Sequence, residues 1–122
     1  LISLTAYSNV DGKGEYGFKN NVNINNKGLV IGYDQLKKNS SMNGVNIGYF
    51  IVNKDVLKKS TKMNLSFEEH IMKNLIMKKK VSAYRTNKQY QYITNYLSLE
   101  KCKNYISRNK IRPLSSKYFL KK

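Results

Sequence analysis

Few side chains in this sequence are suited to catalysis. The chain has one histidine, His70, and one cysteine, Cys102, so a Ser-His-Asp or Cys-His arrangement would have to use at least one of them. His70 falls in the first turns of a predicted helix, and Cys102 falls on the apolar side of another, where a small buried thiol is common. We therefore expect neither residue to be a base or a nucleophile. The same counts exclude an internal disulfide and a cysteine-rich zinc site.

Carboxylates are scarce, with seven Asp and Glu residues in 122, so an acid beside a predicted element is a candidate for ligand binding. Asp34 follows a predicted strand, a place where α/β folds often carry ligand-binding groups, although an Asp that starts a loop fits equally well. Ser66 and Glu69 have the spacing of a capping box, so we expect Glu69 to be used in a helix cap. Glu68 is then free either to face a cleft or to stabilise the helix through its negative charge near the positive N-terminal end of the helix dipole.

Two further patterns have a weaker link to chemistry. The Gly12-Lys13-Gly14 run lacks the following helix and the Gly-Lys-Ser/Thr ending of a phosphate-binding loop, so it is expected to be a turn. Tyrosines between positions 84 and 96 lie close to Arg85 and Lys88, and aromatic side chains mixed with cations can stack nucleobases. Tyrosine is also a favourable strand residue, so a half-buried sheet surface explains the same pattern.

The elements that must position these groups alternate between strands and helices. Val45 to Val52 is the most apolar stretch and predicts a buried strand, in which Gly48 is a defect unless something approaches the backbone closely. The order predicts an α/β fold whose sheet is covered mostly by helices. The expected strands are 2–7, 20–26, 29–33, 45–52, 81–84 and 90–94; a short helical turn is expected at 53–59, and longer helices from Ser66 and Ser98.

The net charge of +16 comes from 23 basic and seven acidic residues, which invites nucleic acid or another anion as a partner. However, 20 of the basic residues are Lys, spread over nearly every segment, and only three are the Arg that favours bidentate phosphate contacts. A small basic nucleic-acid- or anion-binding module without catalysis is therefore the alternative function. No apolar run approaches the roughly 20 residues that span a bilayer. We expect a cytoplasmic protein with no membrane partner.

Several segments, taken in order, carry a family resemblance. They are the Tyr16-Gly17 pair, LVIGYDQ at 29–35, MNGVNIGYFIVNKDVL at 42–57, LSFEEHIMKNLI at 65–76, and VSAYRT with YQYITNYLSLEKCKNYI between 81 and 106. Together they resemble the C-terminal, sugar-binding half of a sugar-1-phosphate nucleotidyltransferase domain, over residues 1–107. The resemblance implies a partial Rossmann-like sheet with flanking helices. It also implies transfer of a nucleotidyl group from a nucleoside triphosphate to a sugar 1-phosphate, giving an NDP-sugar and pyrophosphate, with Mg²⁺ as cofactor.

The resemblance also implies a set of site residues. The glycines would let a sugar approach the backbone, while the amide and the acids would hold its hydroxyls. The sugar-binding set is Gly17, Asp34, Asn46, Gly48 and Glu68, and the candidate metal ligand is Asn95. Two positions depart from the family pattern: Gln35 stands where many relatives have a Lys, and the turn at 92–95 contains no acid.

The family's triphosphate-binding loop would lie before residue 1, so we expect this chain to be part of a longer protein and inactive alone. Residues 108–122 are expected to be a linker or tail that leads to a further domain. Nucleic acid is not an expected partner of the family-like chain, and homo-oligomer formation is left open. The sugar and the nucleotide are not identified by these residues.

Overall fold

The computed structural model describes residues 1–58 and 66–111. Its contacts divide the chain into two compact units, Leu1–Gln89 and Tyr90–Lys122. The predicted tail at 108–122 lies mostly outside the described residues. The elements are strands β1 (Ile2–Tyr7), β2 (Val22–Ile24), β3 (Val30–Tyr33), β4 (Val45–Val52) and β5 (Val81–Thr86), helices α1 (Lys54–Lys58), α2 (Lys73–Met77) and α3 (Tyr96–Arg108), and a π-helical segment, Phe67–Met72, directly before α2.

The first unit is built on a three-stranded mixed sheet in the order β4-β1-β5. The central strand β1 runs antiparallel to β4 and parallel to β5. Its side chains alternate as expected, with Ile2, Leu4 and Ala6 buried on one face. The described residues thus have mixed α/β content, as the sequence predicts.

Strand β4 has the predicted bounds, but it is an edge strand rather than a buried one. Tyr49 and Ile51 are 71% and 79% exposed. The pairing with β1 shifts between the Leu4–Phe50 and Ala6–Asn46 pairs, so three residues of β4 lie opposite one of β1. Gly48 lies in this bulge with a φ of +84°. The bulge explains the glycine, because side chains are disfavoured at that φ.

The hairpin β2–β3 pairs separately from the sheet and is held at two points. Val22 forms a bridge to Gly44 just before β4, and Leu29 forms one to Ser82 in β5. The Asn43 side chain also pairs with Ile24 like a strand residue, accepting from its N–H and donating to its carbonyl, both at 2.9 Å. The hairpin is therefore fixed to both outer strands of the sheet.

One hydrophobic core joins the sheet, the hairpin and the helical segments. Its buried members come from β1, β2, β3, β5, α1 and the π-helical segment: Ile2, Leu4, Ala6, Val22, Ile24, Val30, Val56, Met72 and Val81. Leu4 and Met72 are essentially inaccessible, at 1% and 0% exposure. The core lies beside the Tyr33 end of β3 and the bulged part of β4, whose Phe50 packs against it.

The helix expected from Ser66 begins there, and the Ser66 hydroxyl accepts from the Glu69 N–H at 3.4 Å. Its first turns are π-helical, since the Lys73 N–H donates to the Glu68 carbonyl five residues back. The expected helical turn at 53–59 is present as α1. The second unit contains α3, which begins at Tyr96 with Asn95 as its cap; the prediction of Ser98 as the cap is wrong by three residues. The strand expected at 90–94 is not formed.

Candidate functional site

Two of the five predicted sugar-binding residues, Asn46 and Glu68, lie near the Tyr33 side chain, and a third, Gly48, contacts Asn46. The Asn46 amide and the charge of Glu68 are both close enough to act on the Tyr33 phenol. The Asn46 carboxamide oxygen accepts from the Gly48 N–H at 3.0 Å, so the bulge itself orients the amide. We call Tyr33, Asn46, Gly48 and Glu68 the Tyr33 cluster. It joins β3, the bulge of β4 and the start of the π-helical segment.

The environment of Tyr33 favours its neutral phenol. Partial burial raises the pKa of this phenol, and the negative charge of Glu68 raises it further. The hydrogen bond from Asn46 acts in the opposite direction, and Glu69 adds a smaller upward contribution. At neutral pH the cluster therefore offers a phenol that can donate a hydrogen bond beside a carboxylate that can accept one.

An aromatic pair adjoins the Tyr33 cluster. Phe50 of β4 and Phe67 of the π-helical segment pack edge to face, with ring centroids 5.3 Å apart and planes at 70°. Both rings are partly buried against the same core as Tyr33. Gly48 is exposed, and a Cβ built on it would meet no atom within 4 Å. Open main chain therefore lies next to amide, phenol and carboxylate groups.

Asp34, the fourth predicted sugar ligand, follows Tyr33 but uses its carboxylate in a turn. It accepts from three backbone N–H groups, those of Leu36 at 3.0 Å, Lys38 at 2.7 Å and Asn39 at 2.8 Å. These bonds, with that of Asn39 the largest contribution, hold the pKa of Asp34 below its usual range. The loop-starting role left open for this acid accounts for all of its observed bonds.

Gly17, the fifth predicted sugar ligand, lies in a different loop and adopts a φ of +62°. Its carbonyl accepts from the buried Asn9 side chain at 2.8 Å. The neighbouring Tyr16 ring contacts Lys37 of the Asp34 turn, with the ammonium nitrogen 4.0 Å from the ring centroid. A pocket of about 310 Å³ lies between the Gly17 loop and the Asp34 turn. The two loops are thus neighbours, and Tyr33 connects the turn to the Tyr33 cluster along the chain.

Asn95, the predicted metal ligand, caps α3. Its carboxamide oxygen accepts from the Ser98 N–H at 2.9 Å, and the Ser98 hydroxyl oxygen accepts in turn from the Asn95 N–H at 3.0 Å. A single amide oxygen that already accepts a hydrogen bond, with no carboxylate beside it in the sequence, does not fit the oxygen-rich coordination that Mg²⁺ prefers. Among residues 1–58 and 66–111, no group of three His, Cys, Asp or Glu side chains could hold a metal ion.

A cleft that sequence reasoning missed lies at the carboxyl ends of the parallel strands β1 and β5. It has a volume of about 670 Å³, within the range of ligand pockets. Its walls are Tyr7, Ser8, Val10, Asp11, Arg85, Thr86 and Asn87. The rarity of Arg in this Lys-rich chain was the available signal, but the pairing of residues some 80 positions apart could not be seen in the sequence.

Comparisons with known proteins assign no family to this chain. No family model matches it, and no curated protein matches it either. In the part of the chain that the structure describes, no helix has the length and apolar character needed to cross a membrane.

Proposed function

We propose that this chain supplies the sugar-binding part of a sugar-1-phosphate nucleotidyltransferase that works in the cytoplasm. The observation that supports this proposal is the Tyr33 cluster, in which Asn46 and Gly48 of β4 and Glu68 of the π-helical segment, all named by the resemblance, lie near Tyr33 of β3. No short-range feature of the sequence brings these segments to one place. Their meeting depends on the bulge of β4 and on the start of the π-helical segment.

The chemistry of the Tyr33 cluster suits a sugar ring. Hydroxyl groups both donate and accept, and the cluster offers an amide, a phenol and a carboxylate for such bonds. The aromatic edges of Phe50 and Phe67 provide apolar surface for the C–H groups of a ring. The exposed backbone at Gly48 allows a ring to approach without meeting a side chain. Asp34 and Gly17 then have supporting roles, because their polar groups are used in loop structure.

In the proposed reaction an oxygen of the sugar phosphate attacks the α-phosphorus of the nucleoside triphosphate. A new O–P bond forms, the bond to the leaving pyrophosphate breaks, and pyrophosphate departs. The Tyr33 cluster contributes by holding the sugar phosphate in a fixed orientation for this attack. Magnesium supplies charge stabilisation for the phosphates in such transfers. We assign no metal ligand to this chain, because the Asn95 amide does not fit that role.

The proposal is tested by calorimetric titration of the chain with glucose 1-phosphate and mannose 1-phosphate, with the free sugars as references. Removing a hydrogen bond to the ligand lowers affinity by about 3- to 10-fold for a neutral group and more for a charged one. We therefore expect Asn46→Ala and Glu68→Gln to weaken binding by at least these amounts. Glu69→Gln is the matched control, since this exposed neighbour is expected to affect binding less than twofold.

Gly48→Val is a second test of the same site. A β-branched residue is strained at a φ of +84°, and its methyl groups would occupy the open space beside Asn46. We expect weaker sugar phosphate binding, with triphosphate binding unchanged in any larger protein that contains this chain. Unchanged sugar phosphate affinity in this variant, or no binding of either hexose 1-phosphate at millimolar concentration, contradicts the proposal.

A further inference from the structure

The cleft at the ends of β1 and β5 has no place in the proposed sugar site. The parallel pairing of these strands continues to the Tyr7–Thr86 pair, and the Ser8 N–H extends it by donating to the Thr86 carbonyl at 2.9 Å. The chain leaves both strands at this point, so backbone and side chains diverge around an open space. In α/β folds, ligands bind outside the carboxyl ends of the strands.

Arg85 is the main cation of this cleft and is held in place by a neutral group. Its guanidinium donates to the Asn43 carbonyl at 2.8 Å. Asn43 is itself fixed, because its side chain bonds both backbone groups of Ile24. Among the described residues, no carboxylate forms an ion pair with Arg85. The guanidinium is therefore oriented without being neutralised, and its other N–H groups remain for a ligand.

Hydroxyl and amide donors stand on the same walls. The Thr86 hydroxyl oxygen accepts from the Lys88 N–H at 3.1 Å, which leaves its hydrogen to donate elsewhere. Ser8 and Asn87 add a further hydroxyl and a carboxamide. A carboxylate has two acceptor oxygens, whereas a phosphate has at least three and spreads them tetrahedrally, so a guanidinium together with these donors matches a phosphate more completely.

The acid of the cleft is already engaged. The carboxylate of Asp11 accepts from the Tyr7 hydroxyl at 2.7 Å and from the Lys13 N–H at 3.1 Å, and the Lys13 ammonium lies 3.8 Å away. The hydrogen bond from Tyr7, the largest contribution, lowers the pKa of Asp11, so the group is ionised at neutral pH. Its bonds hold it against one wall, and Lys13 offsets its charge.

We propose that this cleft binds the phosphate group of a small phosphorylated ligand through Arg85, with Ser8, Thr86 and Asn87 as further donors. The site is distinct from the Tyr33 cluster and does not depend on the proposed function. Asn46 and Arg85 both pair with Ala6 of β1, so their Cα atoms are separated by two strand spacings, about 10 Å. Free phosphate and the phosphate of a sugar are the two sources to be distinguished.

The test is a titration of the isotope-labelled full chain with inorganic phosphate and, separately, with glucose 1-phosphate, followed by NMR at constant ionic strength. We expect the largest shifts in the backbone signals of Ser8, Thr86 and Asn87. Arg85→Gln should weaken phosphate binding at least about tenfold, because it removes a charge-assisted pair of bonds. Arg108→Gln, which removes the same charge from α3, should change binding less than twofold.

Arg85→Gln also removes the hydrogen bond to the Asn43 carbonyl, so further variants are needed to separate ligand binding from local structure. Thr86→Val keeps the shape and removes the hydroxyl, and we expect a loss of about 3- to 10-fold. Arg85→Lys keeps the positive charge but loses the paired N–H donors of the guanidinium, so this variant should also bind phosphate more weakly. Tighter binding of glucose 1-phosphate than of inorganic phosphate, with both weakened by Arg85→Gln, identifies a sugar phosphate as the ligand; equal binding identifies phosphate alone.

Three results would overturn the inference. One is a set of phosphate-induced shifts spread over the lysines with none in the cleft. Another is an equal effect of Arg85→Gln and Arg108→Gln. The third is glucose 1-phosphate binding that is lost in Asn46→Ala but unaffected by Arg85→Gln, which would leave the proposed function standing without this cleft. Conversely, glucose 1-phosphate binding that depends on Arg85 and is unchanged in Asn46→Ala supports the cleft and contradicts the sugar site.

Discussion

Replacement of Asn9 by Ala is expected to destabilise the first unit strongly. This side chain is 3% exposed and organises the loop between β1 and β2. Its amide nitrogen donates to the Gly17 carbonyl at 2.8 Å and to the Asn20 side chain at 2.9 Å, and its oxygen accepts from the Gly14 N–H at 2.8 Å. Its φ of +52° lies in the left-handed region, which Asn tolerates better than Ala does.

The expected magnitude follows from these contacts. Each of the three hydrogen bonds contributes about 1 kcal/mol net, so their loss costs about 3 kcal/mol. Placing Ala in the left-handed region adds about 1 kcal/mol. The sum, about 4 kcal/mol, is a large fraction of the roughly 5–15 kcal/mol by which native domains are stable. Gly14 is buried, so its unpaired N–H is not readily satisfied by solvent.

The measurement is urea unfolding followed by far-UV circular dichroism, which gives the free energy of unfolding for each variant. Asn26→Ala is the matched control, because Asn26 is exposed in the hairpin turn; its loss should cost less than about 0.5 kcal/mol. Asn9→Gly removes the same bonds and relieves the backbone strain, so it also shows how much of the effect comes from φ. A destabilisation of Asn9→Ala below about 1 kcal/mol would refute this account of the loop.

Three other predictions concern titration and packing. Because the pKa of Tyr33 is raised in the folded state, this phenol ionises first in the unfolded chain above about pH 10, so the free energy of unfolding falls there. Tyr33→Phe should lessen that fall. Glu68→Gln should lower the Tyr33 pKa measured by NMR titration. The pKa of Asp34 is depressed in the folded state, so its contribution to the free energy of unfolding is present above the unfolded pKa of about 3.9 and is lost as the pH falls. Asp34→Asn should therefore weaken the loss of stability at acid pH in urea unfolding measured against pH. An unchanged acid dependence would count against the turn hydrogen bonds. Leu4→Ala should cost about 2–5 kcal/mol in urea unfolding, whereas Leu36→Ala, at an exposed position, should cost under about 0.5 kcal/mol.

Local patterns predicted the elements well where side-chain alternation is strong. The bounds expected for β1 and β4 agree with the structure, because their apolar residues follow the strand period. The turn at 25–28 was visible in its Asn and Gly residues. Asn25 accepts from the Lys27 and Leu29 N–H groups there, as turn-forming Asn residues do. These features depend on neighbours in the sequence and so can be inferred from it.

Features that depend on distant partners could not be inferred. The apolar character of β4 suggested a buried strand, yet Ile51 lies on an edge strand, since nothing in the segment specifies which strands flank it. Tyrosines at 90–94 have strand propensity but find no strand partner, and Tyr90 and Tyr92 instead contact each other, with centroids 6.0 Å apart. The π-helical turns after Ser66 left no signal, because the capping residues are the same for an α-helix.

The candidate sites divide in the same way. Asn46 and Gly48 could be paired from the sequence because the bulge connects them within three residues. Their neighbour Tyr33 was not singled out, since its approach depends on how the hairpin is held against the rest of the first unit. Arg85 was named only as part of a tyrosine-rich stretch, and its place in a cleft follows from the parallel pairing of β1 with β5.

The bulge at Gly48 also bears on self-association. An uninterrupted eight-residue edge strand with exposed Tyr49 and Ile51 would be a template on which another chain could add a strand. The bulge residues 47–49 interrupt the regular strand geometry in the middle of β4. The Asn46 N–H donates to the Asn21 side chain at 2.8 Å, so it is not available to a strand of another chain. The bulge thereby divides the exposed edge of β4 into two short stretches. Each is a poorer template for pairing with a strand of another chain than an unbroken edge would be.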